Sequence, residues 1–258
     1  MVDSKPVDQA FFTDKKPMLD LCKGFLARGE RSAAWIRNRI GAKPVNVIPN
    51  VTSEAIRWGA RIVLEEESRQ DRFHLDVGSL GKQNVDKTIR IGWLLDEVIA
   101  EAAGETFYEQ RFGEVKKWMD KDPAIRLIIS DSIPLGNIES HYRDRMIPVE
   151  DGDLESDMLI LSQVDVLMLP IPENRELELY LPGVALLASL MQVPVISDAR
   201  CGLSDWITDG KDGLLCRSST EWRAAAKQLC TDENAREEMA RLSCLKLLKE
   251  NQGFRRLL

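Results

Sequence analysis

The sequence has few cysteines and histidines, and their positions leave no cluster of metal ligands. Its five cysteines are scattered along 258 residues, no two form a CxxC pair, and there are only two histidines. Zinc sites need such ligands at short, regular spacing. The cysteine pattern gives no disulfide framework either, so we expect free, mostly buried thiols in a reducing compartment.

Long apolar runs and an excess of positive charge are also missing. No run of about 18 apolar residues occurs, so the sequence predicts no membrane-spanning helix. The N-terminal residues carry acids and lysines where a signal peptide needs an apolar stretch. The net charge of -7 argues against a protein that binds nucleic acid. We expect a cytoplasmic protein, with the basic and apolar tail GFRRLL as a candidate contact with a membrane surface.

The chain divides near residue 86 into two parts with different patterns. Residues 1–86 predict a short, mostly helical segment, with helices at Pro17–Ala27 and Arg31–Ile40, one strand at Val45–Ile48, and a polar linker. From residue 87 to 258, short apolar runs alternate with helix-length segments. This alternation predicts an α/β domain with a doubly wound parallel sheet joined by right-handed crossovers.

The predicted strands are continuous apolar runs, as expected when both faces of a sheet are covered. They are Ile89–Leu94, Ile125–Ser130, Val164–Leu169, Val193–Ser197, Gly213–Cys216 and a minor strand at Met146–Val149. The predicted helices are Ala100–Met119, Leu154–Ser162, Val184–Met191, Leu203–Ile207, Ser219–Cys230 and Asn234–Glu250. Within them, Trp222, Ala226 and Leu229 fall at helical spacing and are predicted to lie in the core.

A candidate phosphate site follows the strand Val164–Leu169, because ligands of such sheets bind beyond the carboxyl ends of the strands. Pro182 precedes a helix whose first N–H groups, at Gly183 and Val184, can hold phosphate. Arg200, at a neighbouring strand end, can clamp a diphosphate, and a surface ion pair is an equally good explanation for it.

Acidic residues precede the same helix. Glu173 and Glu178 can each accept two hydrogen bonds from sugar hydroxyls. A solvated acidic loop is the alternative interpretation.

A second motif, CGLSDWITDGKDG, begins at Cys201. Ser204 or Asp205 is predicted to cap a one-turn helix, and two Asp-Gly pairs are predicted to form tight turns before the next strand. Taken alone, the motif indicates turns and a helix end rather than a functional site.

The order of these pieces resembles the donor-binding half of a GT-B glycosyltransferase, of the retaining group that uses nucleotide sugars. VDVLMLP, the acids, PGVALLASLMQVPVIS, CGLSDWITDGKDGLL and TEWRAAAKQLCTDENAREEMAR follow one another as in that group, over roughly residues 45–250. The resemblance implies that residues 87–258 form a Rossmann-like donor-binding domain. It also implies a nucleotide sugar as the substrate and no metal or other cofactor.

Several positions depart from the pattern of that group. Leu179 and Leu187 stand where the group pairs two glutamates, and Glu178 is one residue away from the first. Trp93 stands where the group has an arginine, which leaves Arg111 as the nearest helical candidate. A further departure is Gln192, where the group has glycine, whereas Asp205 keeps an acid where the group has glutamate.

The resemblance implies metal-independent transfer of a sugar to an acceptor that the sequence does not name. Gly183 and Val184, with Arg200 or Arg111, would hold the diphosphate, and Glu178 or Glu173 the ribose or sugar hydroxyls. Because the N-terminal segment is too short for an acceptor half, we expect either that the chain is a fragment of a longer protein or that a protein partner or a second copy of the chain supplies that half. The alternative is a non-catalytic glycosyltransferase-like subunit that scaffolds a partner. An unrelated nucleotide-binding enzyme is disfavoured, since neither Walker A spacing nor GxGxxG occurs.

Overall fold

Two parallel sheets form the framework of the protein. The structure, a computed structural model, describes residues 21–40, 43–48, 88–94, 97–136, 138–150, 154–174, 177, 182–199 and 202–255. Within these ranges, a two-stranded sheet near the N-terminus is followed along the chain by a six-stranded sheet.

The N-terminal unit has the order strand, helix, strand. β1 (Phe25–Arg28) and β2 (Val45–Ile48) pair in parallel, and α1 (Gly29–Ile40) connects them. Ala27, Ala33 and Val45 form its small core. The unit is therefore one pair of parallel strands joined by a helical crossover connection.

The prediction of a helix at Pro17–Ala27 is wrong over its last residues, which lie in β1; residues 17–20 lie outside the described ranges. The N–H of Phe25 donates to the carbonyl of Pro44 at 2.9 Å, and β1 then runs in register with β2. Pairing with a strand that comes later in the chain outweighs the local helical pattern. The described part of this segment (residues 21–40 and 43–48) thus contains two strands where the sequence predicts one.

The six-stranded sheet is entirely parallel, with strand order β5-β4-β3-β6-β7-β8. Its strands are β3 (Ile89–Trp93), β4 (Ile125–Ser130), β5 (Met146–Val149), β6 (Val166–Leu169), β7 (Val195–Asp198) and β8 (Leu214–Cys216). Each predicted strand is present, with ends that differ by at most two residues. The predicted doubly wound α/β class is confirmed.

The helices that cover this sheet also follow the prediction, except for a short helix at Ser140–Arg143 that the sequence analysis does not predict and for the helix predicted over Ala100–Met119. They are α2 (Glu97–Ala102), α3 (Glu105–Lys121), α4 (Ser140–Arg143), α5 (Leu154–Ser162), α6 (Gly183–Leu190), α7 (Leu203–Trp206), α8 (Ser219–Thr231) and α9 (Glu233–Arg255). The single helix predicted over Ala100–Met119 is wrong. Gly104 has an extended backbone and forms the N-cap of α3, because glycine favours ending a helix over continuing it.

The two faces of the sheet differ in composition. The α3–α8 face is rich in aromatic rings: Trp118 and Trp222 stack with their ring centroids 6.4 Å apart. The α6–α9 face is mainly aliphatic, with Leu187 and Leu247 in its centre. Trp222, Ala226 and Leu229 are buried on the α3–α8 face, as predicted.

Two close approaches fix the α6–α9 face. A Cβ added to Gly92 of β3 would lie only 2.8 Å from a methyl carbon of Val164, so this strand position has room only for glycine. On the outer layer, the hydroxyls of Ser189 in α6 and Ser243 in α9 form a buried hydrogen bond of 2.7 Å. The long helix α9 is thereby fixed against α6.

Candidate functional site

The strand order reverses at the centre of the six-stranded sheet. From β3 the chain moves outward to β4 and β5, and it then returns to β6 on the other side of β3. The helix α3, in the connection after β3, lies on the α3–α8 face, whereas α6, which follows β6, lies on the opposite face. Crossovers that leave on opposite faces open a crevice beyond the carboxyl ends of the two strands, where ligands of such sheets bind.

The amino end of α6 provides the first group at this edge. The helix begins at Gly183, and its N-cap Pro182 makes no side-chain capping bond; the first turn contains no acidic residue. Gly183 is exposed, and a Cβ placed there meets no atom within 4 Å. Pro182 therefore provides no side-chain cap for the first N–H groups, which lie at the positive end of the helix dipole, a suitable arrangement for an anion.

A partly buried carboxylate, Asp198, ends β7 at the same edge. It accepts a hydrogen bond from the N–H of Ile171 at 2.8 Å, from Arg111 at 2.9 Å and from the indole nitrogen of Trp222 at 3.2 Å. Burial raises the pKa of Asp198, against the opposing effect of Arg111. The carboxylate joins the end of β6 to β7 and to the α3–α8 face.

Arg111 reaches the edge from α3. Its guanidinium lies 5.4 Å above the ring of Trp222 and 5.5 Å from that of Phe107, while one terminal nitrogen pairs with Asp198. The side chain remains 24% exposed. A guanidinium fixed in this way has N–H groups left over for a phosphate oxygen, although its charge is partly offset by the carboxylate.

The remaining predicted site residues divide into two groups. Glu173 is exposed in the segment after β6, and Asp205 is exposed on α7. Glu178 and Arg200 lie outside the described residues, so their predicted roles stay predictions. Gly183 and Arg111 approach the edge from opposite faces of the sheet.

The turn before β8 is held by carboxylates, as its Asp-Gly pairs suggest. Gly210 has a φ of 77°, and the carboxylate of Asp209 accepts a hydrogen bond from the N–H of Leu215 at 2.9 Å. The buried carboxylate of Asp212 accepts one from the N–H of Thr208 at 2.7 Å. The predicted tight turn is therefore present.

The predicted cap of α7 is wrong. The N-cap is Gly202, and no side chain caps the helix, because Ser204 and Asp205 lie inside it. A residue that the sequence does not point to, Lys246 of α9, pairs with Asp212 at 3.2 Å and donates to the carbonyl of Trp206.

The departures from the resembled pattern have structural counterparts. Trp93, which stands in place of an arginine, is 2% exposed and lies against Tyr108 with ring centroids 6.0 Å apart. It is a core residue of the α3–α8 face. Gln192 has a φ of 55°, the left-handed conformation that a glycine adopts without strain.

Among the described residues, no group of three or more His, Cys, Asp or Glu side chains could hold a metal ion. No described helix combines the length and the apolar character needed to cross a bilayer.

Comparison with known proteins places the fold. No family model and no curated protein matches the chain. Among solved structures, it is similar to sucrose-phosphate synthase from Thermosynechococcus elongatus (16% identity, TM-score 0.60, 98% of this chain and 64% of that chain). It is also similar to the pneumococcal O-GlcNAc transferase GtfA in complex with UDP and GlcNAc (16% identity, TM-score 0.64, 96% and 47%). The chain has the GT-B glycosyltransferase fold.

A third GT-B neighbour is Anabaena Alr3699/HepE in complex with UDP-glucose (14% identity, TM-score 0.54, 95% of this chain and 67% of that chain). The present GT-B chain spans 64% of the length of the synthase and about half that of GtfA. The predicted GT-B resemblance is confirmed at the level of the fold.

Proposed function

We propose that the chain binds a nucleotide sugar at the carboxyl edge of its six-stranded sheet and takes part in glycosyl transfer. The observation that carries this proposal is the reversal of strand order beside β3, with the uncapped amino end of α6 on one face and Arg111 on the other. The negatively charged oxygens of a diphosphate can bind both the helix end and the guanidinium. The complexes of HepE with UDP-glucose and of GtfA with UDP support a ligand of this class.

In this proposal the diphosphate lies against Gly183 and Val184, and Arg111 or Arg200 contacts its oxygens. Glu173 or Glu178 accepts hydrogen bonds from ribose or sugar hydroxyls, and Asp205 is a further candidate at the same edge. The bond between the sugar and the diphosphate breaks, and the sugar passes to an acceptor hydroxyl. Charge that develops on the leaving diphosphate is stabilised by the helix end and the guanidinium, so the step needs no metal.

The binding test is thermal unfolding of the chain with UDP, UDP-glucose, UDP-GlcNAc, ADP-glucose and GDP-mannose. A ligand at a hundredfold excess over its Kd raises the unfolding free energy by about 2.7 kcal/mol. For a chain of this size, we expect an increase in Tm of roughly 5–10 °C with the correct donor. No shift at millimolar concentration with any nucleotide would contradict the proposed function.

Gly183→Asp tests the role of α6. The new carboxylate repels a diphosphate, and we expect the Kd for the nucleotide to increase by about tenfold or more. Stability should not fall, since an acid at the start of a helix is favourable and the position is open.

Gly104→Asp is the matched control, because Gly104 also lies at a helix start with no atom within 4 Å of an added Cβ. It should bind nucleotide like the wild type. Equal affinities of the two variants would rule out α6 as the phosphate site.

The second candidate function is a non-catalytic glycosyltransferase-like subunit that scaffolds a partner. Two observations favour it: Arg111 already has a carboxylate partner, and Trp93 is buried where the resembled group has an arginine. Sedimentation of the chain, alone and with candidate partners, tests it together with the nucleotide panel. Nucleotide hydrolysis or sugar transfer by the isolated chain or its homo-oligomer would exclude this second function.

A further inference from the structure

A groove on the α3–α8 face is lined by none of the residues of the proposed nucleotide site. It has a volume of about 540 Å³ and runs between the last turn of α3 and the outer side of α8, with Ile125, the first residue of β4, at its base. Its size falls within the range of about 300–1,000 Å³ that is usual for small-molecule sites. Short side chains of α8 line part of the groove: the exposed Ala224 and Thr231 and the buried Ala226.

The interior of the groove is mostly apolar. Trp118 lines it, and the indole nitrogen of this buried residue has no hydrogen-bond partner within the described part of the chain. Burial raises the pKa of the Cys230 thiol, which also lines the groove, to about 12. This thiol is therefore neutral at physiological pH, and it adds apolar surface rather than a nucleophile.

The rim of the groove is basic, although the protein as a whole is acidic. Lys121, Arg223 and Lys227 line it together with one acid, Asp122. One oxygen of Asp122 is occupied by the N–H of Ala124 at 2.8 Å. Among the residues described, neither lysine is part of an ion pair. A ligand that matches this surface carries negative charge at one end and apolar surface at the other.

We propose that the groove between α3 and α8 binds a small amphipathic carboxylate, whose apolar chain lies along α8 and whose head lies among Lys121, Arg223 and Lys227. The binding is non-covalent and does not depend on the proposed transfer reaction. It gives the chain a second ligand, at a site separate from the crevice.

The test uses the full chain and dodecanoate, below its micelle concentration, in isothermal titration calorimetry. Dodecyltrimethylammonium has a chain of equal length and the opposite charge, and we expect it to bind at least about tenfold more weakly. Equal binding of the two compounds would overturn the proposal.

Ala224→Trp fills the groove from an exposed position of α8 and should weaken dodecanoate binding by about tenfold or more. Gln228→Trp is the control, because it adds the same side chain to an exposed position of α8 outside the groove. Circular dichroism verifies that both variants are folded. Wild-type affinity of a folded Ala224→Trp variant would overturn the proposal.

A second pair of variants tests whether the basic rim binds the carboxylate. This pair also tests the proposal if Ala224→Trp does not fold. Replacing Lys121 and Lys227 together by glutamine should weaken dodecanoate binding by about fivefold, and Lys117→Gln, on α3 outside the groove, should not. Loss of affinity in the Lys117→Gln control as well would overturn the proposal. So would binding to phosphatidylglycerol vesicles without binding of free dodecanoate, since the surface would then be a membrane contact.

Discussion

The two faces of the sheet bring different chemistry to the same edge. The α3–α8 face contributes a side chain, Arg111, which rests on the ring of Trp222 and is fixed by Asp198. The α6–α9 face contributes the backbone N–H groups at Gly183. Their position depends only on the burial of the rest of α6. A long side chain needs a packed surface and a counter-charge to hold its position, whereas a helix end is positioned by its own backbone.

Loss of the aromatic support should give the largest effect. Trp222→Ala removes a buried ring, the stack with Trp118 and the hydrogen bond to Asp198. We expect the unfolding free energy, measured by urea titration, to fall by about 3–5 kcal/mol. Under the proposed function, nucleotide affinity falls as well, because Arg111 loses its position.

Leu187→Ala is the matched variant on the α6–α9 face and should cost about 2–5 kcal/mol. Nucleotide affinity measured on the folded fraction should stay near that of the wild type, since Arg111 and Asp198 keep their contacts. A greater loss of affinity in Leu187→Ala than in Trp222→Ala would reverse the assignment of the two faces.

The fit between β3 and the α6–α9 face should give the next largest effect. Gly92→Ala places a methyl group against Val164 and should lower the unfolding free energy by about 1–3 kcal/mol. Gly113→Ala, within α3 and with open space around the added methyl, should raise it by about 0.5–1 kcal/mol. Changes of the same sign in denaturant titrations would contradict this account of the packing.

A pH titration tests whether burial dominates the electrostatics of Asp198. Its pKa is raised above the usual 3.8 in the folded state, so its contribution to stability is full below that value and is lost as the pH rises through the raised pKa. The stability of the wild type relative to Asp198→Asn should therefore decrease as the pH rises above about 4. Urea titrations at a series of pH values measure this difference.

An increase in the relative stability of the wild type with rising pH would mean that Arg111 outweighs burial.

The hydrogen bond between Ser189 and Ser243 should give the smallest effect. Either single change to alanine leaves one buried hydroxyl without this partner, and we expect a loss of about 1–2 kcal/mol. The double variant should cost less than the sum of the two, with a coupling energy of about 1 kcal/mol in a double-mutant cycle. Strict additivity would show that the two hydroxyls do not support α9.

The sequence predicts those elements whose ends are marked locally. The bounds of β2, β4, β5 and α5 agree with the prediction residue for residue. Each is a short apolar or amphipathic run between polar residues, prolines or glycines, which local physical chemistry can resolve. In contrast, β1 depends on pairing with a strand some twenty residues later, and nothing in its own four residues indicates that partner.

The candidate site is only partly predictable for the same reason. Pro182 and Gly183 mark the start of α6 in the sequence itself. The pair of Arg111 and Asp198 joins residues 87 positions apart, and no spacing rule connects them. A charged residue that directly follows the predicted strand Val193–Ser197 was the available signal for Asp198. Glu178 and Arg200 lie outside the described residues and stay predictions.

The ion pair of Lys246 with Asp212 has a consequence for the order of events during synthesis. Asp212 is buried, and its cationic partner follows it by 34 residues. At about 5–20 residues per second, the ribosome needs roughly 2–7 s to add that stretch. Until α9 emerges and docks, the turn before β8 carries a carboxylate whose counter-charge has not yet been made. The strands can assemble as they are translated, but the turn before β8 reaches its final form only when the last described helix, α9, has docked.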